Sequence, residues 1–63
     1  MKFQQESLFF RNSQDAFNDA IAKRKLNEDP DSSKYAGDYM YMQSDAKGDY
    51  FKNINTRKYM IVT

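Results

Sequence analysis

Sixty-three residues, ten basic and nine acidic for a net charge of +1, confine the chain to one domain (1–63) and exclude an acidic DNA mimic. With no Cys and no His, neither a disulfide framework nor a thiolate- or imidazole-ligated metal site can be built, so no cofactor or metal is expected. Ten Phe and Tyr against three Gly and Pro mark a chain that folds rather than a disordered tail.

A chain this short buries only about 60% of the surface its unfolded form exposes, so its core is small. Self-association or a larger partner is the economical way to add buried surface. The apolar runs at 8–10, 39–42 and 59–62 are far shorter than the ~20 residues that cross a bilayer, and no secretory leader pattern opens the chain. No membrane partner is expected, and the composition reads as cytoplasmic.

Residues 7–11 are apolar enough for a first strand feeding directly into a helix. That helix is predicted over 13–24. Asn12 and Ser13 are good N-cap residues, and Asp15 puts negative charge in the first turn. Phe17, Ala20 and Ile21 form an apolar stripe with Ala16 at its edge, and Asp19 and Lys23 are spaced as a favourable i, i+4 pair. Lys23, Arg24 and Lys25 supply positive charge at the C-terminal end, after which Leu26 must turn back to reach the core. A Gly stop is missing there.

Residues 27–33 (NEDPDSS) read as a loop, followed by a short helical turn over 32–36 that Gly37 ends. From Asp38 the period changes to that of strands. Residues 39–43 form one strand, in which either the Tyr pair (Tyr39, Tyr41) or the Met pair (Met40, Met42) faces inward. A hairpin loop over 44–48 leads to a second strand at 50–54, a bulge or turn near 53–56, and a last strand at 58–62. The expected architecture is α+β in β-α-β-β-β order: one principal helix packed on a small, mainly antiparallel, three- to four-stranded sheet.

Catalysis finds little material. Ser-His-Asp, Cys-His and zinc-hydroxide mechanisms need side chains this chain lacks. Glu28, Asp29 and Asp31 lie in a polar loop, where nothing would raise a carboxyl pKa by burial, so a solvated turn accounts for them. Asn27, Asp29 and Asp31 alternate like the first ligands of a calcium loop, but Ser32 and Gly37 stand where the motif needs Gly and a bidentate Glu. The chain is therefore expected not to be an enzyme.

Two binding readings remain. Tyr50, Phe51, Lys52, Arg57 and Lys58 interleave aromatic and basic residues as single-strand nucleic-acid binders do. Residues 47–51 sketch an RNP1-like start, with Asp49 where an aromatic belongs. Three cations neutralise few phosphates, and aromatics filling a small core explain the pattern more simply. Protein binding is favoured. Five Tyr and four Met exceed what a one-layer core can hide, and both types suit interface centres. Met40, Met42, Tyr39, Tyr41 and Tyr59 are the candidate contacts, with Arg24 the best cation among them. The 59–62 strand is the expected free edge, open to pairing with another chain.

The tracts YAGDYMYM (35–42) and FKNINTRKYM (51–60) resemble those of short phage and prophage accessory proteins. The resemblance implies a non-catalytic product that binds a host or phage protein, or itself, in the host cytoplasm. It carries no site residues with it.

Overall fold

Asn12 begins the principal helix. Its extended backbone turns the chain, and its Oδ1 accepts from the amides of Gln14 (2.9 Å) and Asp15 (3.3 Å), satisfying two donors the first turn leaves unpaired. The computed structural model, which describes residues 8–63, places α1 at Ser13–Ala22, two residues shorter than predicted. The helix stops at its C-cap Lys23 because Arg24 adopts a left-handed conformation (φ 63°). The Arg24 amide then donates to Ile21 O and the Lys25 amide to Ala20 O, the paired bonds of a Schellman end. Arg occupies the position Gly usually takes. The turn delivers Leu26 into the core, where it is buried, as the sequence requires.

A short 3-10 turn at Ala36–Asp38 includes Gly37 instead of ending before it. Strands β1 (Tyr39–Asp45), β2 (Gly48–Asn53) and β3 (Tyr59–Val62) follow as an antiparallel meander in the order β1-β2-β3. The fold is α+β. The predicted first strand reduces to one antiparallel bridge, Phe9 to Ser44, closed by two backbone hydrogen bonds of 2.9 and 2.8 Å; Ser7 lies outside the described residues. The helix therefore precedes the named strands, and the β-α-β-β-β order does not stand.

The β1–β2 connection is tighter than the five-residue loop expected, because Asp45 pairs directly with Gly48. Asp45 Oδ1 accepts from the Lys47 amide (2.8 Å), and the positive φ falls on Gly48 (φ 143°). Gly48 is also needed for space, since a Cβ there would lie 2.3 Å from the Val62 carbonyl oxygen. The second connection is a turn closed by a bulged pair, Arg57 and Lys58 both bonding to Asn53. Asn53 Oδ1 accepts from Asn55 and Thr56 amides, Asn53 O accepts from Arg57 N, and Arg57 takes the left-handed position (φ 66°).

A further bulge lies within β1. Tyr41 pairs with Phe51 and Gln43 with Tyr50, leaving Met42 as the extra residue. Its effect on facing is large. Without it, alternation from Tyr39 and Tyr41 would send Gln43 inward; with it, Ser44 goes inward, buried, while Met42 joins Met40 on the opposite face. The inward face thus carries Tyr39, Tyr41, Ser44, Asp49, Phe51, Met60 and Val62, and α1 covers it.

Phe51, at 0% exposure, is the centre of the core. Phe17 from α1 and Tyr41 from β1 both meet it edge-on, with centroids 4.9 and 5.7 Å away. Ala16 and Ala20 are the fully buried helix residues, and their small side chains let α1 approach the sheet while Phe17 and Ile21 flank the contact. The predicted stripe is correct in direction but centred one position off.

Candidate partner-binding face and the polar anchor beneath it

Between helix and sheet lies a polar cluster that local sequence patterns do not show. Arg11 Nη1 donates to Asp49 Oδ2 (2.5 Å) and Arg11 Nη2 to Asp19 Oδ2 (2.6 Å). Asp19 was expected to pair with Lys23, but Lys23 Nζ instead reaches the main-chain oxygen of Thr63 (3.0 Å). Ser44 Oγ donates to Asp49 Oδ1 (2.6 Å), so the 2.5 Å contact between Tyr41 and Ser44 takes its proton from Tyr41. The Tyr41 oxygen in turn accepts from the Arg11 amide (2.8 Å). Among the described residues no buried side-chain nitrogen or oxygen is left without a partner.

The Arg11 guanidinium is held firmly in its charged form, its pKa raised by the hydrogen bond to Asp19 first and by the charge of Asp49 next, against the opposing effect of burial. A buried Ser on a carboxylate resembles part of a nucleophilic dyad. Ser44 is 1% exposed and fully engaged, however, so no substrate atom can reach Oγ. The cluster is an anchor: it pins the segment before α1 to β1, β2 and the helix at once.

The acidic loop also bonds to itself. Asn27 Oδ1 accepts from the Asp29 amide, Asp29 Oδ1 from the Asp31 amide, and Asn27 Nδ2 donates to Ser32 Oγ (2.8 Å). Among the described residues no group of three or more acids is assembled to hold a metal ion. An open groove of about 500 Å³ between α1 and the loop is lined by Phe17, Ile21, Tyr35 and Tyr39, with Gln14 and Glu28 also in its wall.

The other face of the sheet is uncovered by α1. Pairing puts Met40, Lys52 and Tyr59 in one row across the three strands and Gln43, Tyr50 and Ile61 in the next. Met40, Met42, Lys52, Ile54 and Arg57 line a shallow cavity of about 230 Å³ on it. Met40 is 50% exposed and Tyr59 55%, and Ile54 and Ile61 are also exposed. Lys52 Nζ sits 5.6 Å from the Tyr59 ring centroid, a cation–π pair across β2 and β3. The Tyr50 hydroxyl donates to Asp45 (2.9 Å).

The predicted site residues therefore divide. Met40, Met42 and Tyr59 share the open face. Tyr39 and Tyr41 lie on the opposite, helix-covered face, both half-buried, Tyr39 packing against the core and lining the groove beside α1 and Tyr41 spending its hydroxyl on the anchor. Arg24 is exposed at the end of the helix, on the covered side of the sheet. Of the five nucleic-acid candidates, Phe51 is at the core centre and offers no ring to a base. Tyr50, Lys52 and Arg57 lie on or beside the open face, and Lys58 is exposed. Ile54 and Ile61 were missed, although each sits beside a predicted contact and alternation from Tyr59 would have found Ile61.

No family model, curated protein or solved structure matches the chain.

Proposed function

We propose that the protein is a non-catalytic protein-binding module whose working surface is the open face of the sheet. One observation carries this reading: Met40, Met42, Ile54, Tyr59 and Ile61 lie exposed or half-exposed together on the face that α1 leaves bare. Grouped apolar side chains of this kind mark interaction surfaces, whereas scattered ones do not. Lys52 and Arg57 add cationic groups to the same cavity, and none of its lining residues is acidic. Arg57 also holds a left-handed backbone position that Gly would occupy with less strain, which favours a use for its side chain. The partner is a protein presenting an apolar patch with acidic groups at its margin; on the phage-like texture of the tracts from Tyr35 onward, it is a host or phage component.

The single-strand nucleic-acid reading loses ground on two points. Phe51 is withdrawn into the core, and Lys52 already lies over the Tyr59 ring. What remains is a small platform with few cations, where such binding calls for several bases stacked and several phosphates neutralised.

The test compares the native protein with a Met40→Glu/Tyr59→Glu variant in affinity capture from lysate, after checking that both fold. A specific protein retained by the native chain and lost by the variant is the expected result. Equal retention by both would remove the open face from the mechanism, and oligonucleotide binding that falls steeply with salt would favour the nucleic-acid reading.

A further inference from the structure

The outer edge of β3 is a second surface, and its hydrogen-bond phase can be worked out. Asn53 donates its amide to Lys58 O (2.9 Å), so these residues form a hydrogen-bonded pair across β2 and β3. In an antiparallel ladder such pairs alternate with pairs whose backbone groups point away from each other. Phe51–Met60 and Asp49–Val62 are therefore bonded inward, and the amides and carbonyls of Tyr59 and Ile61 point outward from the sheet. The opposite edge is partly closed, because Ser44 of β1 is bridged to Phe9. Among the described residues no strand or bridge pairs with the outer side of β3.

We propose that this edge pairs antiparallel with the same edge of a second copy, centred on Met60. The inference is independent of what binds the open face. Two outward-pointing residues placed symmetrically about Met60 make the edge self-complementary: Tyr59 meets Ile61 of the second copy and Ile61 meets its Tyr59. Both are hydrogen-bonded pairs, so four backbone bonds close at once. Side chains agree with the backbone. Paired residues share a face, so each Tyr59 ring lies against a β-branched Ile61, a favourable cross-strand combination. Met60 meets Met60 on the helix side.

Charge does not oppose the pairing. The strand YMIV carries none of the Lys, Pro or bulge devices that keep free edges apart. Lys58 falls opposite Val62 of the second copy. The two Lys52 residues lie three strand spacings apart, about 14 Å, beyond the screening length of about 8 Å at physiological salt. β3 is also held ready, since Val62 is buried and Lys23 fixes the main chain at Thr63. The result is a continuous six-stranded sheet with both helices on one side.

The test is sedimentation velocity from low micromolar to millimolar concentration on three proteins made by chemical synthesis. They are the native chain, an Ile61→Pro variant, and a chain with an ester in place of the amide between Met60 and Ile61. The Ile61 N–H points outward, so Pro and the ester each remove a donor that no described residue of the single copy accepts from. The ester also keeps the side chain and backbone geometry should Pro disturb the strand. Circular dichroism establishes that each folds. The expected result is a concentration-dependent dimer for the native chain, with its dissociation constant raised roughly ten- to a hundredfold by the ester, which deletes two hydrogen bonds per dimer. A native chain that stays monomeric throughout, or a dimer indifferent to the ester, overturns the proposal.

Discussion

Replacing Asp49 by Ala removes the hub of the polar anchor, and the structure sets the size of the loss. Asp49 Oδ1 is the acceptor of the buried Ser44 hydroxyl, and an unsatisfied buried donor costs about 1–3 kcal/mol. Asp49 Oδ2 takes one arm of Arg11, but the Arg11 side chain is 30% exposed and keeps Asp19, so water and the second carboxylate make good most of that loss. About 0.5–1 kcal/mol is a fair share for a pair so screened. Asp49→Ala should therefore destabilise the fold by about 2–4 kcal/mol, a large fraction of the roughly 3–9 kcal/mol expected for a domain of this size. Asp49→Asn keeps an acceptor for Ser44 and should cost only about 1 kcal/mol, through the Arg11 arm alone. Urea unfolding followed by tyrosine fluorescence and far-ultraviolet circular dichroism measures both. Equal losses from the two variants, or an Ala variant within about 0.5 kcal/mol of the native chain, would refute the assignment of the anchor as a structural hub.

Two backbone positions give predictions of opposite sign. Gly48→Ala forces a Cβ to within 2.3 Å of the Val62 carbonyl at a positive φ, so a loss of about 3 kcal/mol or more is expected in thermal or urea unfolding. A near-neutral result would mean that the end of β3 does not lie over the hairpin. Arg24→Gly relieves a left-handed non-glycine residue at the helix end and should stabilise by about 0.5–1 kcal/mol, since the greater entropy of the unfolded Gly offsets part of the relief. A destabilised Arg24→Gly variant would show that the Arg24 side chain makes a contact of its own.

What could be read from the sequence was what is local. Asn12, Asp15 and the apolar stripe announce α1 within a dozen residues, and Leu26 must return to the core because no continued helix could bury it. The three strands follow from β-prone aromatic and aliphatic runs broken by small polar residues. The anchor was not legible, because it joins Arg11, Asp19, Tyr41, Ser44 and Asp49, which only the finished fold brings together. One signal did point to it: Asp is disfavoured inside strands, so Asp49 among Tyr50, Phe51 and Lys52 asks for a buried partner. The facing of Tyr39 and Met40 was undecidable from alternation alone. Burial of Phe51 settles it, since Tyr41 pairs with Phe51 and must share its side. For the same reason the interleaved aromatic and basic residues after Tyr50 looked more like a base-stacking surface than they are: alternate members belong to opposite faces.

The extra residue at Met42 separates what holds this protein together from what it presents to others. Deleting it would leave Gln43 following Tyr41 in regular register, opposite Tyr50 and facing out, with Ser44 still inward opposite Asp49. The hydrogen bonds joining Tyr41, Ser44 and Asp49 would survive, while the apolar patch would lose one of its two thioethers. A change of chain length at this one point thus edits the exterior and spares the interior.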